Sequence, residues 1–329
     1  MINVALPRSV ADRAGWTDDI YAAFTSQELD PSRENICAVV AVIGQESNFQ
    51  VDPVVPGLPA IAWQEIDSRA EQAGIPRFIV HAAVQLRSPT GLTYSQRIDT
   101  VRTEKDLSDI FEDFIGEVPL GRTLFAEHDP VRTRGPMQVN VDFAEQYAKA
   151  RAYPYPVKGS IADEVFTRRG GLYFGVGHLL AYEAPYDQYL YRFADFNAGQ
   201  YSSRNAAFQQ ALSRVSGFHV VPDGALLPNG GDHSPGETEV AARTMKLRLD
   251  LDDSEIHEAL AQSKRASFEH TALYRGVFAL ADKLRAPPAP RAVVPHIILR
   301  GPKISGSLST DWYARRVNQR FNGCLDKQR

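Results

Sequence analysis

The stretch that most limits how this chain can fold is the apolar run 36–43, which ends in Gly44-Gln45-Glu46-Ser47-Asn48-Phe49. Ile36, Val39, Val40 and Ile43 recur at three- and four-residue steps, the spacing of one buried helical face. Asp30 reads as an N-cap and Pro31 as a first-turn proline, so the helix is predicted to start there. Asp52-Pro53 stops it soon after Glu46. Glu46 lies seven residues beyond Val39, about twenty degrees off the same line of the helix. A carboxylate is therefore predicted at the C-terminal end of a core-facing stripe. Desolvation on one side and the negative end of the helix dipole both favour its protonated form, as a general acid requires. Taken alone, the stretch also reads as an ordinary exposed helix-end glutamate.

Two later stretches add to this. Gly135-Pro136-Met137-Gln138-Val139-Asn140 precedes a helical run, and Phe193-Ala194-Asp195-Phe196-Asn197-Ala198-Gly199 ends another. In this order, Glu-Ser on a helix, then Gly-x-Met-Gln, then aromatic-Asn-Ala-Gly, the chain resembles the catalytic domain of soluble lytic transglycosylases. Those domains have goose-type-lysozyme-like folds and cleave the glycan strand of peptidoglycan. Each motif is common by itself; the specificity lies in their order and setting. The resemblance covers the three motifs and the helices around them.

What it implies is a mechanism with one acid. Glu46 would protonate the glycosidic oxygen between N-acetylmuramic acid and N-acetylglucosamine. The N-acetyl carbonyl would stabilise the cationic C1. Glu46 would then act as base on the sugar's own C6 hydroxyl, giving a 1,6-anhydro product. Ser47 would orient the carboxylate or the N-acetyl group, or bond only its own backbone. Gln138 and Asn197 would hold the sugar, and Met137 and Phe196 would supply apolar walls. Tyr313 fits a late tyrosine that closes the fold and bonds toward the glutamate; an ordinary core tyrosine fits as well. No metal or organic cofactor is needed. Two departures stand out: Phe196 replaces a more usual tyrosine, and Asp195 stands where a small residue is common.

Two rival readings follow from the same residues. A hydrolytic muramidase would need a second carboxylate, with Glu65, Glu127, Asp129 and Asp195 as candidates. A non-catalytic glycan-binding protein would keep the groove without turnover. His178 is read mainly as structural rather than as an acid–base group.

The remaining sequence sets bounds. Hydrophobic content of 43% and charged content of 23% are those of a globular protein that can bury a large core. The net charge of −4 argues against a nucleic-acid binder. No apolar run is long enough to span a bilayer, and residues 1–7 are too short for a signal peptide. Export to the periplasm or cell envelope, inferred from the substrate alone, would need a leader beyond this sequence. Cys37 is read as a small apolar core residue, and a bond to Cys324 is allowed but not established.

The fold expected is mainly α: one lysozyme-like domain over 1–329, with insertions at 53–134 and 217–295. Family members place Gly-x-Met-Gln close behind Glu-Ser, whereas 88 residues separate Glu46 from Gly135 here. The first insertion, with helices at 62–73, 77–85 and 106–114, is expected over the cleft, shaping the groove or meeting a cell-envelope protein. Further helices are predicted at 16–29 (capped by Thr17), 141–150, 161–166, 172–182 and 186–196. Gly171, Gly175 and Gly177 would permit close packing, and Gly199 would cap a helix end. The Gly-, Pro- and Asp-rich stretch 217–237 is the best candidate boundary. Helices at 237–249, 253–262 and 266–284 follow, the last burying Leu273, Val277, Leu280 and Leu284. A short strand at 297–299 and a helix opening at Thr310 close the chain.

Overall fold

A computed structural model describes residues 1–117, 131–184, 186–228, 234–284, 287–299 and 308–327. Within these residues the chain is mainly helical, with two antiparallel two-stranded ribbons. The described residues divide into two compact units: those of 1–31 and 43–176 form one, and those of 32–42, 177–299 and 308–327 form the other.

The first unit opens with α1 (Ile2–Ala5) and α2 (Arg13–Thr25). Asp12, not Thr17, caps α2: its side chain accepts from the Gly15 amide, and the Thr17 hydroxyl donates back to the Arg13 carbonyl inside the helix. The third helix, α3 (Arg33–Glu46), likewise starts later than Asp30-Pro31 suggests, because the Ser32 hydroxyl accepts from the Asn35 amide. Every residue from 36 to 44 is buried, so α3 is enclosed around its whole girth rather than along one stripe.

Residues 58–117 form α4 (Leu58–Gln72), α5 (Arg77–Ala83), α6 (Tyr94–Thr100) and α7 (Glu104–Glu117). They share a core of Leu58, Ala62, Val84, Tyr94, Ile98 and Ile110. The helix α6 was not anticipated, although Thr93 and Gln96 form a capping box that the sequence displays. A ribbon of β1 (Thr133–Arg134) and β2 (Val139–Asn140) pairs Thr133 with Asn140. After it come α8 (Val141–Ala150), α9 (Ile161–Phe166) and α10 (Arg168–Leu180). The first two have the predicted limits.

The second unit contains α11 (Tyr189–Ala198), α12 (Ser202–Ser216), α13 (Glu237–Arg243), α14 (Lys246–Leu249), α15 (Asp253–Ala261) and α16 (Ala272–Leu284). A ribbon of β3 (Ile298–Leu299) and β4 (Leu308–Ser309) leads into α17 (Thr310–Lys327). Its core joins Phe208 and Leu212 to Ile256, Phe268, Leu273 and Val277. Leu273 and Val277 are buried on α16 as expected and Leu280 packs partly buried beside them, whereas Leu284 is exposed; Tyr274, Phe278 and Ala281 complete the buried face. Val220 and Leu226 lie in the same core, which removes 217–237 as a boundary. The division passes instead through α3, between Val42 and Ile43, and through α10, between Val176 and Gly177. Cys37, read as an apolar core residue, is buried and also bonded to Cys324.

Candidate functional site

Glu46 is the last residue of α3 and is half-buried. Ser47 behind it is buried, and its hydroxyl donates to the Ile43 carbonyl at 3.2 Å, the local alternative expected for a helix serine. The chain then turns through two consecutive left-handed residues, Asn48 (φ 50°) and Phe49 (φ 63°). For Phe this conformation costs about 1–2 kcal/mol, because Cβ crowds the following carbonyl. The compensation is packing: Phe49 is buried, edge-on to Trp16 with ring centres 5.3 Å apart. Arg168, paired to Asp12 at 2.7 Å, lies over the same Trp16 ring. The backbone beyond Glu46 is thus held by an aromatic anchor.

The Gly135-Pro136-Met137-Gln138 turn is fixed by α10. Gly135 has φ +73° and Gln138 φ 49°. A Cβ on Gly171 would meet Pro136 Cδ at 2.5 Å, and one on Gly175 would meet Met137 Sδ at 2.4 Å. The two glycines are one helical turn apart, so α10 presents a groove into which the turn's proline and methionine fit. Met137 has no exposed surface. The Gln138 side chain is bonded within the same unit. Its amide nitrogen donates to Glu104 Oε2 at 3.1 Å and the Gly135 carbonyl at 3.3 Å, and its oxygen accepts from the Thr133 hydroxyl at 3.0 Å. Glu104 is itself buried. Nothing in the sequence marks it as a partner of Gln138.

Phe196, Asn197 and Tyr313 belong to the second unit, whereas Glu46, Ser47, Met137 and Gln138 belong to the first. Phe196 is buried and packs on the His178 ring, 5.0 Å between centres. Burial pulls the His178 imidazole down to about 4, so it is neutral at pH 7. Asn197 is exposed and its Oδ1 accepts from the Thr310 hydroxyl at 2.9 Å. Thr310 is fully buried at the start of α17, and Tyr313, on the same helix, is buried too. Gly199 ends α11 with φ +107°, as its C-cap.

Of the second-carboxylate candidates, Glu65 is paired to Arg69 on α4, and Glu127 and Asp129 lie outside the described residues. Asp195 has no exposed surface. Its Oδ2 accepts from the hydroxyls of Tyr186 (2.7 Å) and Tyr182 (3.0 Å) and from the Tyr201 amide (2.9 Å). Its Oδ1 accepts from the Ser203 amide at 2.6 Å. Burial raises this carboxyl to about 6 despite the four bonds. The group caps the first turn of α12 from a neighbouring helix, which is a structural duty.

Over residues 9–327 the sequence matches the family described as protein of unknown function (DUF1615). The chain belongs to this family. It is 50% identical over 325 residues to the Escherichia coli (strain K12) protein named "Uncharacterized protein YaiW", covering 99% of this chain and 88% of that protein. No solved structure matches. Among the described residues there is no group of His, Cys, Asp or Glu suited to hold a metal ion, and no helix long and apolar enough to cross a membrane.

Proposed function

We propose that this member of the DUF1615 family is a peptidoglycan lytic transglycosylase of the cell envelope. It would cleave the bond between N-acetylmuramic acid and N-acetylglucosamine with Glu46 as its one acid and base. The observation that supports this most is the setting of Glu46. It is a half-buried carboxylate at the end of a helix whose residues 36–44 are all buried, followed by a turn that places Phe49 in a costly left-handed conformation. Strain of this kind collects where a side chain must be held for use. In this reading Glu46 gives its proton to the leaving O4 as the C1–O4 bond breaks. It then takes the proton of the C6 hydroxyl as the C1–O6 bond forms, so no water is consumed.

The other motif residues divide into two kinds. Asn197, exposed and oriented by Thr310, offers its amide to the saccharide. Met137 supports the turn from within the core. The Cys37–Cys324 bond fits an oxidising compartment such as the periplasm. A non-catalytic glycan-binding protein is the second reading, favoured by the Gln138 amide being bonded inside its own unit.

The test is digestion of purified peptidoglycan sacculi by wild type and Glu46→Gln, with soluble products identified by mass spectrometry. Anhydro-ended fragments from wild type alone are expected. Reducing-end products would replace the reading by a muramidase. Sacculi that bind the protein and stay intact would replace it by glycan binding.

A further inference from the structure

The amide of Gln138 is held in one orientation, and the group that sets it is Glu104. Glu104 opens α7 and is 6% exposed. Its place is fixed from two sides. Thr103 and Asp106 cap the helix reciprocally: the Thr103 hydroxyl accepts from the Asp106 amide and Asp106 Oδ2 from the Thr103 amide, each at 3.1 Å. The chain that leaves Glu46 runs past the same place. There the Val55 amide donates to the Arg102 carbonyl at 2.9 Å, and Val54 pairs with Thr103 in an antiparallel bridge. The segment after Glu46 and the turn of Gln138 therefore meet at one short stretch, 102–104, within the first unit.

The Gln138 side chain has two N–H groups, and both are used. One goes to Glu104 Oε2 at 3.1 Å and one to the Gly135 carbonyl at 3.3 Å. The same carbonyl accepts the Gln138 main-chain amide at 3.0 Å. Turning the side chain over would set its oxygen against a carboxylate and a carbonyl, both of them acceptors, so the orientation follows from the partners' chemistry. The oxygen accepts from the Thr133 hydroxyl at 3.0 Å, which takes one of its two lone pairs. Gln138 is half-buried. A ligand that meets its amide therefore finds an acceptor and no donor. We propose that Glu104 is a positioning residue that makes Gln138 a hydrogen-bond acceptor toward the glycan. Gln138 then reads a hydroxyl or the N–H of an N-acetyl group. This inference rests on the saccharide reading above and holds for its catalytic and its binding form alike.

The experiment compares wild type with Glu104→Met, Glu104→Gln, Gln138→Glu and the exchanged pair Glu104→Gln/Gln138→Glu on purified peptidoglycan sacculi. Product release and pelleting of bound protein are measured where circular dichroism shows each protein folded. Gln138→Glu sets two carboxylates together, and Glu104→Met frees the amide to turn. Each should lower product release, or sacculus binding if nothing is released, roughly tenfold. Glu104→Gln keeps an acceptor for the amide and should stay within about threefold of wild type. The exchange restores the bond with donor and acceptor swapped and still offers the glycan an acceptor, so it should recover to within about threefold as well. An exchange as weak as Gln138→Glu would show that the glycan needs the Gln138 N–H. Folded Glu104→Met and Gln138→Glu that match wild type would leave the pair a packing feature, and a Glu104→Gln as weak as Glu104→Met would deny the positioning role. Each of these overturns the proposal while the saccharide reading stands. Wild type that neither digests nor binds sacculi would overturn both.

Discussion

Cys37 on α3 and Cys324 on α17 are joined by a disulfide across a sequence separation of 287 residues. Around it, Arg33 donates to the Leu325 carbonyl at 2.7 Å and the Tyr189 hydroxyl donates to Asn35 at 2.7 Å. A cross-link closing so long a loop removes much of the unfolded chain's freedom, giving about 5–6 kcal/mol in the loop-entropy account. Cys324→Ser is therefore expected to lower stability by about that much. Denaturant titrations of wild type with and without reductant should show the same loss, while the variant should be insensitive to reductant. A reductant-independent midpoint for wild type would refute the expectation.

Asp195 makes a pH-dependent contribution whose sign is fixed by its surroundings. Its carboxyl lies at about 6, against an ordinary 3.8, because burial disfavours the charge more than the bonds from Tyr186, Ser203 and Tyr182 favour it. Between those two values the folded protein binds more proton than the unfolded chain. Stability from this group is thus largest at low pH and falls as pH rises toward 6. About two units correspond to about 3 kcal/mol. The difference in unfolding free energy, wild type minus Asp195→Asn, should decline by about 2–3 kcal/mol between pH 4 and pH 7, other titrations cancelling. A flat difference would show that the carboxyl does not titrate in this window.

Gly135 cannot be replaced cheaply. Its φ is +73°, and an added Cβ would lie 2.0 Å from the Val165 carbonyl oxygen, a backbone atom that α9 holds in place. Left-handed strain and this collision together predict that Gly135→Ala costs more than about 2 kcal/mol. Gly175→Ala collides with Met137 instead, Sδ at 2.4 Å and Cβ at 2.7 Å, but adds no left-handed strain because the residue is helical. Its cost should be smaller, about 1–2 kcal/mol. Urea midpoints of the two variants measure the order; equal values would mean that the turn moves as a body.

Elements with a clean apolar period were legible from sequence, and those whose burial is polar were not. The limits of α8 and α9 were read correctly because Asn140 and Ser160 cap them and the helices are short and amphipathic. The fifteen-residue α12 escaped notice because it buries Arg204, Asn205 and Gln209 beside Phe208 and Leu212, so no apolar stripe appears. These groups are satisfied by distant loops: Arg204 donates to the Arg265 carbonyl and Gln209 to Asp223. No local pattern encodes such partners. At the candidate site the same holds for Gln138. Its turn was visible in Gly135-Pro136, but its bond to Glu104 joins residues 34 apart. Asp195, weighed as a second catalytic carboxylate, is buried and accepts from the Tyr201 and Ser203 amides that open α12, with the Tyr182 and Tyr186 hydroxyls beside them, partners that no local pattern shows.

Thr310 and Asn197 offer the sharpest separation of positioning from packing. Thr310 is fully buried, and its hydroxyl donates at 2.9 Å to the one Asn197 atom that sets the direction of the amide. Thr310→Val keeps the shape and removes the donor, leaving Asn197, which is exposed, free to bond water instead. The stability cost should therefore be small, about 1 kcal/mol. If Asn197 orients the saccharide, turnover on sacculi should fall roughly tenfold in Thr310→Val, with a larger fall in Asn197→Ala. Thr310→Ser, which restores the hydroxyl, should recover most of the activity. Loss of activity in Thr310→Ser matching that in Thr310→Val would assign the residue to packing alone, and unchanged turnover in Thr310→Val would remove Asn197's orientation from the mechanism.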